Sequence, residues 1–407
     1  VDNVMQPLEF KYVVVDGKTN RIVEWEQGDN RKADNMKLDD GQVLVLYGEN
    51  LRIKERNWKA AGVVVPLFSL RTDHSFGVGD FGDLKRFVDL TEATGMKVIQ
   101  LLPVFDTTTT HTWSDSHPYD CISLHAIHPH YIDLEQLGSL DDESEQKVFN
   151  RQRRELNALE YSDYEAVDRL KSRYVYLFFR KNGEADMATD EYKEFARKNR
   201  SWLYPYAAFC ALREHFHTAR TSDWHEFSTY NEEKLRETFK SDGHFHEEFC
   251  LACYTQYHLH RQFKKAVNYA HSKEIGFCGD LPVSLYRDSV ATWHHPELFH
   301  LDMKLGNPPS NEEPQGQNWG MPPFDWYPDD GRKVAGYLND VIRGMEEYFD
   351  AVRIDHVVSF FRSWEIPEQN LWTSMGHFSP SIPVSEIEIR EYGLDFHKEL
   401  YTKPFIN

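Results

Sequence analysis

Apolar and polar positions follow one period before about residue 60 and another after it. Phe10-Lys-Tyr-Val-Val-Val-Asp16 and Arg21-Ile-Val-Glu-Trp25 are β-branched and aromatic, and Gly17-Lys-Thr-Asn20 between them has turn composition, so two strands are expected. Gly28-Asp-Asn30 ends the second, and Gln42-Val-Leu-Val-Leu-Tyr47 predicts another. Three strands are too few to close a sandwich on their own. From Ala61 the pattern changes. Ala61-Gly-Val-Val-Val-Pro-Leu67 is apolar without alternation, the signature of a buried parallel strand. Asp83 is expected to open a helix, because Leu84, Phe87, Val88 and Thr91 share one face and Gly95 suits its end. Lys97–Val104 is the next strand, which completes a βαβ unit. The pattern returns in a helix over about Tyr254–Ser272, a strand Phe277–Leu281, a helical stripe Val334, Tyr337, Leu338, Val341 and Met345, and a strand Ala351–His356. Such alternation predicts an α/β fold, either a barrel or a doubly wound sheet. No GxGxxG follows a strand, which disfavours the dinucleotide-binding version. Residues 140 to 248 are charged and helix-rich and read as a helical insertion.

Composition narrows the partners. The net charge of −20 repels nucleic acid and anionic lipid, so neutral partners are favoured. No run approaches the roughly 18 apolar residues of a membrane span. Ten Trp and 21 Tyr suit sugar binding, since a pyranose face packs on an aromatic ring. Five widely spaced cysteines, the lone Cys250-Leu-Ala-Cys253 among them, fit a reducing, cytoplasmic compartment better than a disulfide framework. No nucleophile elbow or phosphate loop occurs.

Candidate chemistry sits at strand ends. In a strand, residues two apart share a face, so Arg353 and Asp355 point together and Ile354 points into packing. At the C-terminal end of a barrel strand such a pair lies where barrel enzymes keep their active sites. An arginine beside a carboxylate favours its ionised form, as a glycosidase nucleophile requires, although a plain ion pair has the same sequence. Asp280 in Gly279-Asp-Leu-Pro282 is a sugar-binding carboxylate or a turn aspartate. Gly306-Asn-Pro-Pro309 and Gln315-Gly-Gln-Asn-Trp-Gly320 shape a long loop with Trp319 at its end, a substrate lid or a core anchor. His125-x-x-His128-x-His130 has metal-like residue types, but Pro129 interrupts it and it reads as scaffold, so neither a metal nor a cofactor is expected.

Read in order, these motifs resemble glycoside hydrolase family 77, the amylomaltases. The run comprises Pro66-Leu-Phe-Ser-Leu70, Gly77-Val-Gly-Asp-Phe-Gly82, Pro118-Tyr119, Tyr131-Ile-Asp-Leu134, Gly279-Asp-Leu-Pro282, Trp293-His-His-Pro-Glu-Leu-Phe299, Gly316-Gln-Asn-Trp-Gly320, Val352-Arg-Ile-Asp-His356 and Trp364-Glu-Ile-Pro367. Phe378-Ser-Pro-Ser-Ile-Pro383, Gly393 and Lys403-Pro-Phe-Ile406 are similar to the plant-cytosol type of disproportionating enzyme, which carries starch-binding modules in front. Trp25-Glu-Gln-Gly-Asp-Asn-Arg31 looks like the closing motif of a family 20 starch-binding module, with the alternative that Trp25 is a sandwich core residue.

The resemblance implies the first part of a (β/α)8 TIM barrel over 51–407, with the helical insertion, preceded by the last β-sandwich strands of a starch-binding module over 1–50. It implies 4-alpha-glucanotransferase activity by a retaining double displacement. Asp355 would be the nucleophile, and Arg353 would hold it ionised and oriented. Asp280, His356 and Tyr119 would bind the donor sugar, and Trp319 and Gln317 would line the glucan channel. Trp25 would stack on glucose and Asn30 hydrogen-bond to it. The implied partners are maltose, maltodextrin and starch- or glycogen-like glucans, with no nucleic acid and no membrane; self-association is left open. Two departures stand out: Ser310-Asn-Glu-Glu313 replaces the family's usual Asp-x-Phe, and His117 stands before Pro118 where a small residue is common. The family's acid/base glutamate motif does not occur, and Glu365 is not that glutamate. The chain is therefore expected to be incomplete at both ends and, alone, to have little or no transferase activity; the alternative is a non-catalytic glucan-binding fragment.

Overall fold

Two stretches of different period give two compact units, Val1–Ala60 and Ala61–Asn407. A computed structural model describes residues 8–17, 19–33, 51–52, 59–241, 243–327, 331–381, 385–393, 395 and 397.

In the first unit, β1 (Leu8–Phe10) pairs antiparallel with β4 (Arg31–Ala33), and β2 (Val13–Val15) with β3 (Ile22–Trp25). The strand expected over Phe10–Asp16 is thus two strands with different partners. The break at Lys11 and Tyr12 has a cause. Lys11 Nζ reaches the carbonyls of Glu26 and Gly28, and the Tyr12 amide donates to the Glu26 carboxylate. Glu26 is buried and also takes the Arg31 guanidinium and the Arg52 amide. Arg31, foremost among these, pulls the Glu26 carboxyl down to about 2. The expected strand Gln42–Tyr47 lies outside the described residues.

The second unit begins with β5 (Gly62–Val65), α1 (Phe81–Ala93) and β6 (Val98–Leu101). Helix α1 starts two residues before the expected Asp83, because Asp80 caps it and Asp83 closes a capping box. Next come α2 (Glu143–Asn157), α3 (Tyr164–Ala188), α4 (Asp190–Lys198), α5 (Arg200–Phe216) and α6 (Glu232–Thr238), the expected helical stretch. Helix α7 (His246–Ser272) starts eight residues earlier than its apolar stripe suggested. It leads to β7 (Gly276–Leu281), α8 (Val290–His294), β8 (Met303–Asn307), β9 (Gln317–Asn318), α9 (Arg332–Met345) and β10 (Ala351–Ile354). The last elements are β11 (Ser363–Pro367), β12 (His377–Ser379) and α10 (Glu386–Glu391).

Strands β10-β7-β6-β5 form one parallel sheet in that order. β5 is parallel as expected but not buried on both faces: it lies at the sheet's edge, and Val64 is 59% exposed. β12-β11-β8-β9 form a separate antiparallel sheet. The core between sheet and helices is aromatic. Phe263 of α7 stacks on Phe81 of α1 at 4.6 Å and on Tyr348 at 4.5 Å. No helix among the described residues is long and apolar enough to cross a membrane.

Candidate active site

The register between β7 and β10 builds the site. It sets Arg353 opposite Asp280 and Ile354 opposite Leu281 at the strands' C-terminal ends. The Asp355 amide adds one more bond, 3.0 Å to the Leu281 carbonyl, and His356 then turns the chain with φ +43°. β10 therefore ends at Ile354, which is 41% exposed rather than packed as expected. Arg353 and Asp355 still converge. One guanidinium nitrogen, Nη1, donates to both oxygens of Asp280 at 2.7 Å, and the other, Nη2, donates to Asp355 Oδ1 at 2.6 Å. The Tyr119 hydroxyl donates to Asp280 Oδ2 at 2.9 Å. Among the described residues no hydrogen bond reaches Asp355 Oδ2, so one oxygen is held and the other is not.

Electrostatics separates the two carboxylates. The Asp280 side chain is fully buried, whereas that of Asp355 is 25% exposed. Burial pushes the Asp280 carboxyl above its ordinary range, against the opposing pull of Arg353 and Tyr119. Burial, then the bond to Asp280, pushes the Tyr119 hydroxyl up to about 12, so it stays a donor at neutral pH. Burial pulls Arg353 down, but Asp280 and Asp355 outweigh it and raise its pKa. Burial lowers His356, with Asp355 opposing, so the imidazole is mainly neutral at pH 7.

The second shell of candidates comes from β8 and β9. The Trp319 amide bonds the Leu305 carbonyl at 2.9 Å, and its indole lies edge-on to His356 with ring centres 4.8 Å apart. The indole N–H donates to Gln317 Oε1 at 2.8 Å, and Gln317 Nε2 donates to Glu313 at 2.6 Å. Trp319 is half-buried at the site's edge and is not a core anchor. Glu313, from the departed loop, thus supports this chain of contacts, a role the sequence does not reveal. His117 also belongs here: its ring lies 5.7 Å from that of Tyr119.

Trp25 and Asn30 belong to the first unit. Trp25 is 61% exposed, and Asn30 is exposed and bonds Glu9. His128 and His130 are held within the scaffold, by Tyr164 and Asp168 respectively. Among the described residues no group of three or more His, Cys, Asp or Glu side chains could hold a metal. Glu365 is buried, with its oxygens bonded to Ser363 and His300.

Comparison with known proteins gives the family and the fold. Residues 65–393 match glycoside hydrolase family 77, described as 4-alpha-glucanotransferase. A 4-alpha-glucanotransferase of Oryza sativa subsp. japonica is 35% identical over 98% of this chain and 42% of its own length. One from Chlamydia pneumoniae is 28% identical over 80% of this chain and 60% of its own. The chain therefore spans roughly half the length of these curated relatives. The amylomaltase of Streptococcus agalactiae, solved with acarbose, superposes with a TM-score of 0.68 at 26% identity, over 80% of this chain and 64% of that one. The amylomaltase of Corynebacterium glutamicum shares the fold, with a TM-score of 0.62 at 20% identity, over 78% of this chain and 44% of that one.

Proposed function

The chain belongs to the 4-alpha-glucanotransferase family, glycoside hydrolase family 77, and from that premise we propose that Asp355 is the nucleophile of a retaining α-1,4-glucan transfer. The observation that carries the proposal is the asymmetric hold on Asp355. Arg353 fixes one oxygen at 2.6 Å, and among the described residues the other has no hydrogen bond, at the end of a parallel strand. Arg353 thereby orients the carboxylate.

In the first step Asp355 attacks the anomeric carbon of a donor glucan. The glycosidic C–O bond breaks, and a general acid protonates the leaving oxygen. In the second step the 4-hydroxyl of an acceptor glucan attacks the anomeric carbon of the glycosyl–Asp355 ester, gives its proton to the conjugate base of that general acid, and the C–O bond to Asp355 breaks to free the carboxylate. Among the described residues Asp280 is a poor acid for this, because Arg353 and Tyr119 already occupy it. We assign Asp280, Tyr119 and His356 to donor-sugar binding and Trp319 and Gln317 to the glucan channel. The amylomaltase solved with acarbose supports an oligosaccharide in this cleft. Maltose or maltodextrin would be the donor, and a starch- or glycogen-like glucan the acceptor.

α-Maltosyl fluoride tests the nucleophile directly. Fluoride departs without protonation, so the first step needs only Asp355 and the donor pocket. Intact mass spectrometry is expected to show a maltosyl adduct that maps to Asp355 and is absent from Asp355→Asn. No adduct and no fluoride release, or an adduct on another residue, would overturn the assignment.

A further inference from the structure

His300 is clamped between two carboxylates from separate elements. Its Nδ1 lies 3.1 Å from Glu365 Oε2 on β11, and its Nε2 lies 2.9 Å from Asp325 Oδ1 in the segment before α9. Nδ1 hydrogen-bonds to Glu365 and Nε2 lies within ion-pair distance of Asp325, so two carboxylates flank the ring and favour its charged form. Glu365 is 3% exposed, and its other oxygen takes the Ser363 hydroxyl at 2.9 Å. The clamp holds the segment that carries Trp319. The His300 amide bonds the Pro323 carbonyl at 2.9 Å, and the Leu305 amide bonds that of Met321 at 2.7 Å. On the other side, Ser284, four residues after Asp280, donates to the Pro322 carbonyl at 2.5 Å. Residues 319–325 are thus tied to β8 through Leu305, to the loop after β7 through Ser284 and, through the His300 side chain, to Glu365 of β11.

We propose that His300, as an imidazolium between Glu365 and Asp325, is a positioning residue that fixes Trp319 against His356 and so sets glucan affinity. This rests on the reading of Trp319 as part of the glucan channel. The charged and titratable groups facing His300 are Glu365, Asp325 and Asp302, and the Tyr327 ring lies alongside it at 6.5 Å. Glu365 foremost raises the pKa of His300 above the ordinary histidine value. The charged ring is therefore present at pH 6.5, and the clamp is lost as pH rises through the elevated value.

Fluorine NMR of the 5-fluorotryptophan-labelled chain tests this without substrate, with the Trp319 signal assigned through Trp319→Phe. In the wild type that signal is expected to shift on the alkaline side of 6.5, apart from any acid-side response to His356. In His300→Gln and in Glu365→Gln it is expected to move and to lose the alkaline response. The apparent Kd for acarbose is expected to rise about fivefold in both variants, while the Asp355 labelling rate at saturating α-maltosyl fluoride stays within twofold. A Trp319 signal with wild-type position and pH response in both variants would overturn the proposal. Because that signal needs neither glucan nor nucleophile, its result is independent of whether Asp355 is labelled.

Discussion

Burying Asp280 beneath Arg353 sets desolvation against ion pairing, and desolvation wins: its carboxyl titrates above the ordinary value. Between those two values the folded state holds a proton the unfolded chain has lost, so stability falls as pH rises through that window. At neutral pH the ionised group is a net cost to folding, kept for the site it builds. Asp280→Asn preserves the shape and one acceptor for Arg353 and Tyr119. Its melting temperature at pH 7 is expected to match or exceed the wild type's by about 1–2 °C, and the gain is expected to vanish near pH 3.8. The same variant should label Asp355 far more slowly. A melting temperature several degrees below wild type at pH 7 would show that Asp280 stabilises the fold instead.

At the scale of elements, Phe263 is the hinge of the packing. It is fully buried on α7, sandwiched between Phe81 of α1 and Tyr348, and edge-on to Phe349 at 5.5 Å. Tyr348 and Phe349 immediately precede β10, so this stack fixes where Arg353 and Asp355 emerge. Phe263→Ala is expected to cost about 3–5 kcal/mol in urea unfolding of the second unit, and a loss under about 1 kcal/mol would mean the core closes over the gap. The stack also shows what was legible in the sequence. Apolar runs located β5, β6, β7 and β10, and helical stripes located α1, α7 and α9, because burial imposes those periods. β4, β8, β9, β11 and β12 escaped notice: β4, β9 and β12 have three residues or fewer, Arg31-Lys-Ala33 is largely polar, and Met303-Lys-Leu-Gly-Asn307 and Ser363-Trp-Glu-Ile-Pro367 are not continuous apolar runs. For the site, Arg353, Asp355 and Asp280 were legible as strand-end charges. The pairing of Arg353 with Asp355 was legible too, but the contact of Arg353 with Asp280 was not, since it depends on a register between strands 73 residues apart. His300 and Glu365, 65 residues apart, were invisible for the same reason. The resemblance to known motifs, rather than periodicity, joined the distant pieces.

At the scale of the whole molecule, the proposed glucan-binding roles fall in both units. The second holds Asp355, Arg353, Asp280 and Trp319. The first presents Trp25, a large apolar ring 61% exposed on β3, where burial would be the default for tryptophan. The strand is braced from behind: Glu26, the next residue, is buried against Arg31, which fixes the direction of the Trp25 side chain. An exposed ring on a strand whose next residue is anchored fits the stacking role that the family resemblance implies for a starch-binding surface. If so, Trp25 acts on attachment to polymer and not on the chemistry of short donors. Trp25→Ala is therefore expected to lower the fraction of chain retained on insoluble starch by about tenfold, while Asp355 labelling by α-maltosyl fluoride is unchanged within twofold. Equal retention of variant and wild type would remove Trp25 from the binding surface. A parallel loss of labelling would mean that the first unit acts on the cleft itself, and that attachment and transfer are not separable in this chain.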